Sequence, residues 1–306
     1  MVNNLASSYE TLRILEKYDI HARKRYGQNF LVDASVVDMI VDGSGISSGD
    51  TVLEIGPGIG TMTGYLTGRA RRVVCVKVDE NLRPVLAETL DGLDNVSIIF
   101  DDVLRVDLKS LFAGPEGDLA GSGNGQDLQG KIKVVANLPY YVTTPVIIHL
   151  LESGGLFSSI TLMVQKEVAE RITAGPGTKA YGALSLAVQY YAKPVIIGEV
   201  YPKSFIPRPN VDSAVLHMEA YDRPPVDAPS EQLFSVIRAS FNQRRKTLVN
   251  GLMSGMQSCG AARNPSRAEA ENALMKAGLN VNVRGEALTL EEFAILTGYL
   301  QECFGQ

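Results

Sequence analysis

Val52-Leu53-Glu54-Ile55-Gly56-Pro57-Gly58-Ile59-Gly60, followed by Thr61-Met62-Thr63, decides how the rest of this chain is read. An apolar strand that enters a glycine-rich turn and leaves it as a helical pattern is the first βα unit of a nucleotide-binding α/β domain, where glycines let a ligand approach the backbone. The spacing narrows the ligand. Dinucleotide sites carry G-x-G-x-x-G, whereas Gly56, Gly58 and Gly60 fall as G-x-G-x-G with Glu54 two positions upstream. A tight strand-to-helix turn without any ligand is the plain alternative, so the surrounding chain has to supply the chemistry.

The chain has 306 residues, 45% hydrophobic and 21% charged, an ordinary globular composition for one large domain and a smaller one. No apolar run approaches the roughly 20 residues that span a bilayer, and Met1 to Glu10 holds no apolar signal core, so no membrane association and a cytoplasmic location are expected. Cys75, Cys259 and Cys303 lie far apart, as do His21, His149 and His217, so neither a disulfide framework, a zinc site nor metal catalysis is indicated. Cys75, within a strand, reads as a small core residue. The net charge of −5 excludes a generally basic nucleic-acid binder. Two local clusters, Arg23-Lys24-Arg25 and Arg244-Arg245-Lys246, are nevertheless suited to phosphate or to plain solvated surface.

Taken in order, Leu5, Tyr9, Leu12, Leu15 and Tyr18 stand at helical spacing and predict a short N-terminal helix. Residues 23 to 33 mix bases, amides and an aromatic, which suits a loop touching both a ligand and a polyanion. Val36, Val37, Ile40 and Val41 mark a helix stopped by Gly43-Ser44-Gly45. Arg72 to Asp79 reads as the second buried strand, whose end is where an open α/β fold places a ribose-holding residue. A helix over Glu80 to Leu90, capped by Asp79, and a third strand over Val96 to Phe100 follow. Gly114 to Gly130 reads as a glycine-rich surface insertion. Lys133 to Ala136 is a fourth strand, with others at Ser159 to Val164 and Pro194 to Val200, and helices at Lys166 to Thr173 and Leu184 to Tyr191. This alternation gives a parallel, doubly wound sheet with an antiparallel pair among its later strands. The prolines between Tyr201 and Ser213 exclude regular structure there. Beyond Pro224, Pro225 and Pro229 the pattern is helical, at Leu233 to Leu252, Arg267 to Ala277 and Thr289 to Phe304. The expected division is therefore 1–222 and 223–306.

Asn137-Leu138-Pro139-Tyr140, at a strand end, is the second informative site, against the alternative of a proline turn with a core tyrosine. It resembles the N/D-P-P-Y/F signature of amino-group methyltransferases acting on nucleobases, just as the glycine turn resembles motif I of S-adenosylmethionine-dependent methyltransferases. The chemistry is direct. The exocyclic nitrogen of adenine is a poor nucleophile because its lone pair is delocalised into the ring. The Asn137 side-chain carbonyl and the Leu138 backbone carbonyl can both accept its N–H groups and free the lone pair, while Tyr140 stacks on an unpaired base.

Over roughly residues 20 to 300 the chain resembles the ribosomal RNA adenine dimethyltransferase family, in its bacterial small-subunit branch. The resemblance rests on Gln28-Asn29-Phe30-Leu31, Glu54 to Gly60, Asp102-Val103-Leu104, Asn137 to Tyr140, Gln165 to Ala169, Phe205 to Ser213 and Phe241 to Leu248. It implies a Rossmann-like class I methyltransferase sheet with a small all-helical C-terminal domain that binds RNA. By the same resemblance, Gln28, Asn29 and Leu31 line the cofactor site, Gly56 and Gly58 approach the methionine portion of S-adenosylmethionine, and Asp102 accepts the cofactor's adenine amine. Glu54, Lys77, Val103 and Asn137 complete that side, and Asn137, Leu138, Pro139, Tyr140 and Phe205 hold the target base. The implied reaction dimethylates two adjacent adenines in a hairpin loop near the 3′ end of 16S rRNA during small-subunit assembly. Neither a metal nor a covalent intermediate is called for, since the amine attacks the methyl group in line. Arg23, Lys24, Arg25, Arg244, Arg245 and Lys246 would contact phosphates of the 16S rRNA, positioning rather than specifying. A monomer is expected.

One residue departs from the family. Where it has glutamate at the end of the second strand, accepting both ribose hydroxyls, this chain has Lys77, which has no acceptor. Losing two hydrogen bonds to a charged acceptor would cost on the order of 3 to 6 kcal/mol. Asp79 is on the same side of the strand but about 6.6 Å further along. The alternatives are a non-enzymatic ribosome-biogenesis factor with weakened or lost methylation, an NADP-dependent dehydrogenase, whose glycine spacing is wrong, and a large-subunit resistance methyltransferase, which the C-terminal helices and Gln243 to Thr247 disfavour.

Overall fold

The computed structural model describes residues 5–20, 28–113 and 132–304; Arg23, Lys24, Arg25 and the 114–130 insertion lie outside the described residues. Along the chain run α1 (Ser8–Lys17), β1 (Phe30–Leu31), α2 (Ala34–Gly43), β2 (Thr51–Ile55), α3 (Thr61–Thr67), β3 (Arg72–Val76), α4 (Arg83–Thr89), β4 (Val96–Ile99), α5 (Leu108–Ala113), β5 (Ile132–Asn137) and α6 (Thr143–Leu151). Then come β6 (Phe157–Gln165), α7 (Lys166–Thr173), α8 (Ala183–Tyr191), β7 (Ala192–Val200), β8 (Phe205–Ile206) and β9 (Ser213–Ala220). The last four helices are α9 (Ser230–Asn242), α10 (Leu248–Gly255), α11 (Arg267–Lys276) and α12 (Leu290–Phe304). Among the described residues no helix is long and apolar enough to cross a membrane.

The chain divides into two compact units, Met1–Ala169 with Pro194–Ala220, and Glu170–Lys193 with Tyr221–Gln306. In the first, a seven-stranded sheet has the order β4-β3-β2-β5-β6-β9-β7. Its β4, β3, β2, β5 and β6 pair in parallel, and β9 joins β6 antiparallel. Every residue of β2 is buried, as expected of a central parallel strand covered on both faces. Val36, Val37, Ile40 and Val41 of α2 pack with Val52, Val73 and Val135 on one face. A separate cluster joins Ile14, Leu15, Phe30 and Ile59 to Leu82, Val85 and Leu86. Each such burial contributes about 1.5–3 kcal/mol before the ordering cost is subtracted.

Several expectations are corrected. α1 forms with Ser7 as its cap, but Tyr9 and Leu12 are 74% and 52% exposed while Thr11, Ile14 and Leu15 turn inward. Leu5 lies before the first helical turn, so a face counted from it is out of phase. Asp79 caps a 3-10 turn over Glu80–Leu82, and the α-helix begins only at Arg83. The proline-rich loop holds β8, and Ser213–Ala220, unread in the sequence, is β9. The expected helix over 233–252 is two helices, α9 and α10, broken at Gln243 to Thr247.

Residues 170–193, expected in the first domain, belong to the second unit, because Tyr181, Leu186 and Tyr190 share its core with Leu233, Ile237, Leu252 and Phe293.

Candidate active site

Four neighbouring parallel strands end at one edge of the sheet, and the loops that follow them line one cavity. β2 delivers Gly56 and Gly58, β3 delivers Lys77 and Val78, β4 delivers Asp101 to Leu104, and β5 delivers Asn137 to Tyr141. Gln28 to Leu31 and Phe205 complete the wall. Every cofactor-side and base-side residue expected from the sequence is thereby gathered in one place: Gln28, Asn29, Leu31, Glu54, Gly56, Gly58, Lys77, Asp102, Val103, Asn137, Leu138, Pro139, Tyr140 and Phe205.

The glycine turn shows why these residues are small. Gly56, Gly58 and Gly60 have φ of 73°, 61° and 90°, the left-handed region that costs other residues about 1–2 kcal/mol. A Cβ on Gly60 would also stand 2.8 Å from Leu90 Cδ2, so that glycine serves packing at the start of α3. At Gly56 a Cβ would sit 3.8 Å from the Asn137 carbonyl, on the cavity wall.

Glu54 is fully buried on β2. Its Oε2 accepts from the Thr63 hydroxyl at 2.6 Å and from the Cys75 thiol at 3.5 Å, while Oε1 has no hydrogen-bond partner. Burial pushes its pKa from 4.5 to about 7, against the opposing effect of those two donors. The same burial, reinforced by Glu54, raises the Cys75 thiol and leaves it inert.

The geometry around Asn29 and Asn137 is set by a small two-stranded sheet. β1 and β8 pair antiparallel, Phe30 opposite Ile206 and Leu31 opposite Phe205. Val32 N–H donates to the Ser204 carbonyl, and the Ser204 hydroxyl donates to Asp33 Oδ2 at 2.9 Å. Held in this way, the Asn29 carbonyl accepts from Asn137 Nδ2 at 3.3 Å, which fixes the amide and directs its oxygen the other way. The Pro139 carbonyl closes its turn by accepting from Val142 N–H and the Thr143 hydroxyl. Tyr140 is half-buried and its hydroxyl lies 2.8 Å from the Ser213 hydroxyl.

Lys77 lines the cavity at 6% exposure, and burial lowers its pKa against the pull of the Asp79 carboxylate. Asp79 turns instead to Gln28 Nε2, 2.9 Å away, and to Asn81. Unlike Lys77 and Val78, Asp79 does not line the cavity. The other features suit S-adenosylmethionine: an unpartnered buried carboxylate oxygen for a cation, exposed glycine backbone, and Asp102 in the loop after β4. Phe30, Val78, Asp101 and Tyr141 also line the cavity and were not singled out in the sequence. Each adjoins a residue that was, and Phe30 is further held in place by its pairing with Ile206 of the distant β8.

The basic cluster after α9 is divided in its use. Arg244 Nε donates to Glu286 Oε2 at 2.9 Å and its Nη2 to the Lys179 carbonyl at 2.6 Å, so these two donors are engaged within the second unit. Arg245 and Lys246 are exposed.

Residues 20–278 match the model of a family described as ribosomal RNA adenine dimethylase. A Lachnoclostridium phytofermentans protein named ribosomal RNA small subunit methyltransferase A is 48% identical over 97% of this chain and 98% of its own length. One of the same name from Streptococcus gordonii is 46% identical over 95% of this chain and 96% of its own. A dimethyladenosine transferase structure from Plasmodium falciparum shares the fold at TM-score 0.70 and 22% identity, covering 89% of this chain and 98% of that one. The 23S rRNA methyltransferase ErmE does so at TM-score 0.64 and 23% identity, covering 89% and 100%.

Proposed function

Because the chain belongs to the ribosomal RNA adenine dimethylase family, we propose that it dimethylates the exocyclic amines of two adjacent adenines in a hairpin loop near the 3′ end of 16S rRNA. The observation that carries this reading is the hydrogen bond from Asn137 Nδ2 to the Asn29 carbonyl, inside a cavity shared with the glycine turn. It presents the Asn137 oxygen as an acceptor, which is what an adenine amine needs to give up conjugation.

S-adenosylmethionine supplies an electrophilic methyl group. Glu54 would meet the cationic end of that cofactor with its unpartnered oxygen, Gly56 and Gly58 would let the backbone approach, and Gln28, Asn29, Leu31, Asp102 and Val103 would hold the remainder. On the base side, the Asn137 oxygen and the Leu138 carbonyl accept the amine N–H groups, and Tyr140 with Phe205 confines the ring. Catalysis then comes from orientation and amine polarisation: as the amine nitrogen takes the methyl group, the sulfur would depart as the neutral thioether, and the nitrogen releases one proton to solvent. The partner is 16S rRNA within the small subunit or its precursor, with Arg245 and Lys246 on phosphates, joined by Arg23, Lys24 and Arg25. One chain carries a whole cavity, so a monomer suffices.

A purely non-enzymatic role is not favoured, since Lys77 alters one subsite and leaves the base-side residues together. Calorimetric titration of S-adenosylmethionine into the parent and into Lys77→Glu, with methyl transfer to unmethylated small subunits, tests the reading. The parent is expected to bind and transfer, and Lys77→Glu to bind about a hundredfold tighter or more. A parent that transfers nothing while Lys77→Glu does would assign this chain a binding role only.

A further inference from the structure

Stacking on a base uses the face of an aromatic ring and makes no demand on a hydroxyl; the Y/F alternative in the methyltransferase signature reflects this. The Tyr140 hydroxyl is nevertheless committed. Its partner, Ser213, is fully buried and is the first residue of β9, opposite Gln165, the last residue of β6. The Lys166 N–H donates to the Asp212 carbonyl at 3.0 Å, so the backbone around Ser213 is tied at the sheet rim. Tyr140, by contrast, stands in a loop just beyond β5. The contact therefore reaches from that loop to a strand that is not β5's neighbour in the sheet.

We propose that Ser213 is a positioning residue for methyl transfer, fixing the χ1 rotamer and location of the Tyr140 ring through the hydroxyl pair so that the target adenine stacks in one place. This rests on the base-side role assigned to Tyr140 above. Burial holds the phenol above its ordinary pKa, so Tyr140 stays protonated and either hydroxyl can donate. The phenol oxygen lies on the χ2 axis, so a ring anchored there by a group on the sheet loses the χ1 swing that a loop tyrosine otherwise keeps and stays in one place on the cavity wall.

A double-mutant cycle on the full chain tests this, using Ser213→Ala, Tyr140→Phe and the pair. Three readouts are taken: S-adenosylmethionine affinity, kcat and KM on unmethylated small subunits, and the 19F resonance of 3-fluorotyrosine at position 140 in the free protein with and without Ser213→Ala. Each single change is expected to lower kcat by roughly three- to thirtyfold with cofactor affinity unchanged, and the pair to be no slower than the slower single. The single 19F line of the parent is expected to broaden or split in Ser213→Ala. Multiplying effects on kcat, an unchanged kcat in Ser213→Ala, or an unchanged 19F line would each overturn the proposal. Tyr140→Phe keeps the ring and removes the same hydrogen bond, so a folding defect confined to Ser213→Ala is recognised. A parent without methyl transfer would end the functional reading, while the 19F line would still decide the contact.

Discussion

Glu54 is a residue whose environment makes stability depend on pH between acid and neutrality. Its carboxyl titrates near 4.5 when unfolded and at about 7 in the fold, because burial disfavours the charge. Between those values the unfolded chain has released the proton while the fold still holds it. The stability attached to this group is therefore complete below pH 4.5 and is lost as pH rises to about 7. Glu54→Gln keeps an oxygen for the Thr63 hydroxyl and has no charge to bury. It is expected to stabilise the cofactor-free protein by about 1–3 kcal/mol at pH 8 and by nothing at pH 4, as read by urea unfolding. A cationic ligand reverses the preference and favours the ionised carboxylate. S-adenosylmethionine affinity should therefore rise up to about tenfold per pH unit below neutrality and level off above it, and Glu54→Gln should flatten the profile. Equal stabilities of the two proteins at both pH values would contradict this account.

The elements that shape the site are its shortest ones. β1 and β8 have two residues each, too few to be stable alone, and are held by the Asp33–Ser204 hydrogen bond beside them. Asp33 also caps α2 through Ser35 N–H, and its hydroxyl partners hold its pKa below the usual carboxylate range. Asp33→Ala is expected to lose about 1–2 kcal/mol of stability from the cap and, beyond that, to weaken S-adenosylmethionine binding because Gln28 and Asn29 lose their support. Ser204→Ala, which spares the cap, should weaken binding with a smaller stability loss. A calorimetric affinity unchanged in both variants would show that the arm stands without this contact.

Across the whole molecule a net charge of −5 opposes RNA, so attraction has to come from local basic positions. Arg244, Arg245 and Lys246 are all exposed, and Arg244 in addition donates to the Lys179 carbonyl and Glu286. Arg245→Ala and Lys246→Ala are each expected to reduce the slope of log affinity against log salt by roughly one, with the melting temperature unchanged. Arg244→Ala should instead lower the melting temperature and leave that slope nearly intact. Filter binding to small subunits across a salt series distinguishes the two patterns, and a full slope change in Arg244→Ala would reassign it to phosphate.

What the sequence determined by itself was local and repetitive. The buried strands, the glycine turn and the helices around the sheet follow from apolar periodicity and turn chemistry, while the shared site of Asn137 to Tyr140 with Glu54 and Gly56 followed from the resemblance those motifs carry. Lys77 was legible as a departure only against the glutamate that the resembled family carries there. Tertiary structure decided what depends on distant partners. β9 shows little alternation because Ser213 to Leu216 are all buried between β6 and β7. β1 and β8 exist only through each other. The helix expected over 233–252 breaks where Arg244 leaves it for Lys179 and Glu286 and the Leu248 N–H donates to the Val283 carbonyl. The Ser213–Tyr140 and Asn137–Asn29 contacts join residues far apart in the chain. No spacing rule encodes such pairs, because their geometry is fixed by the packing of the intervening strands rather than by the residues themselves.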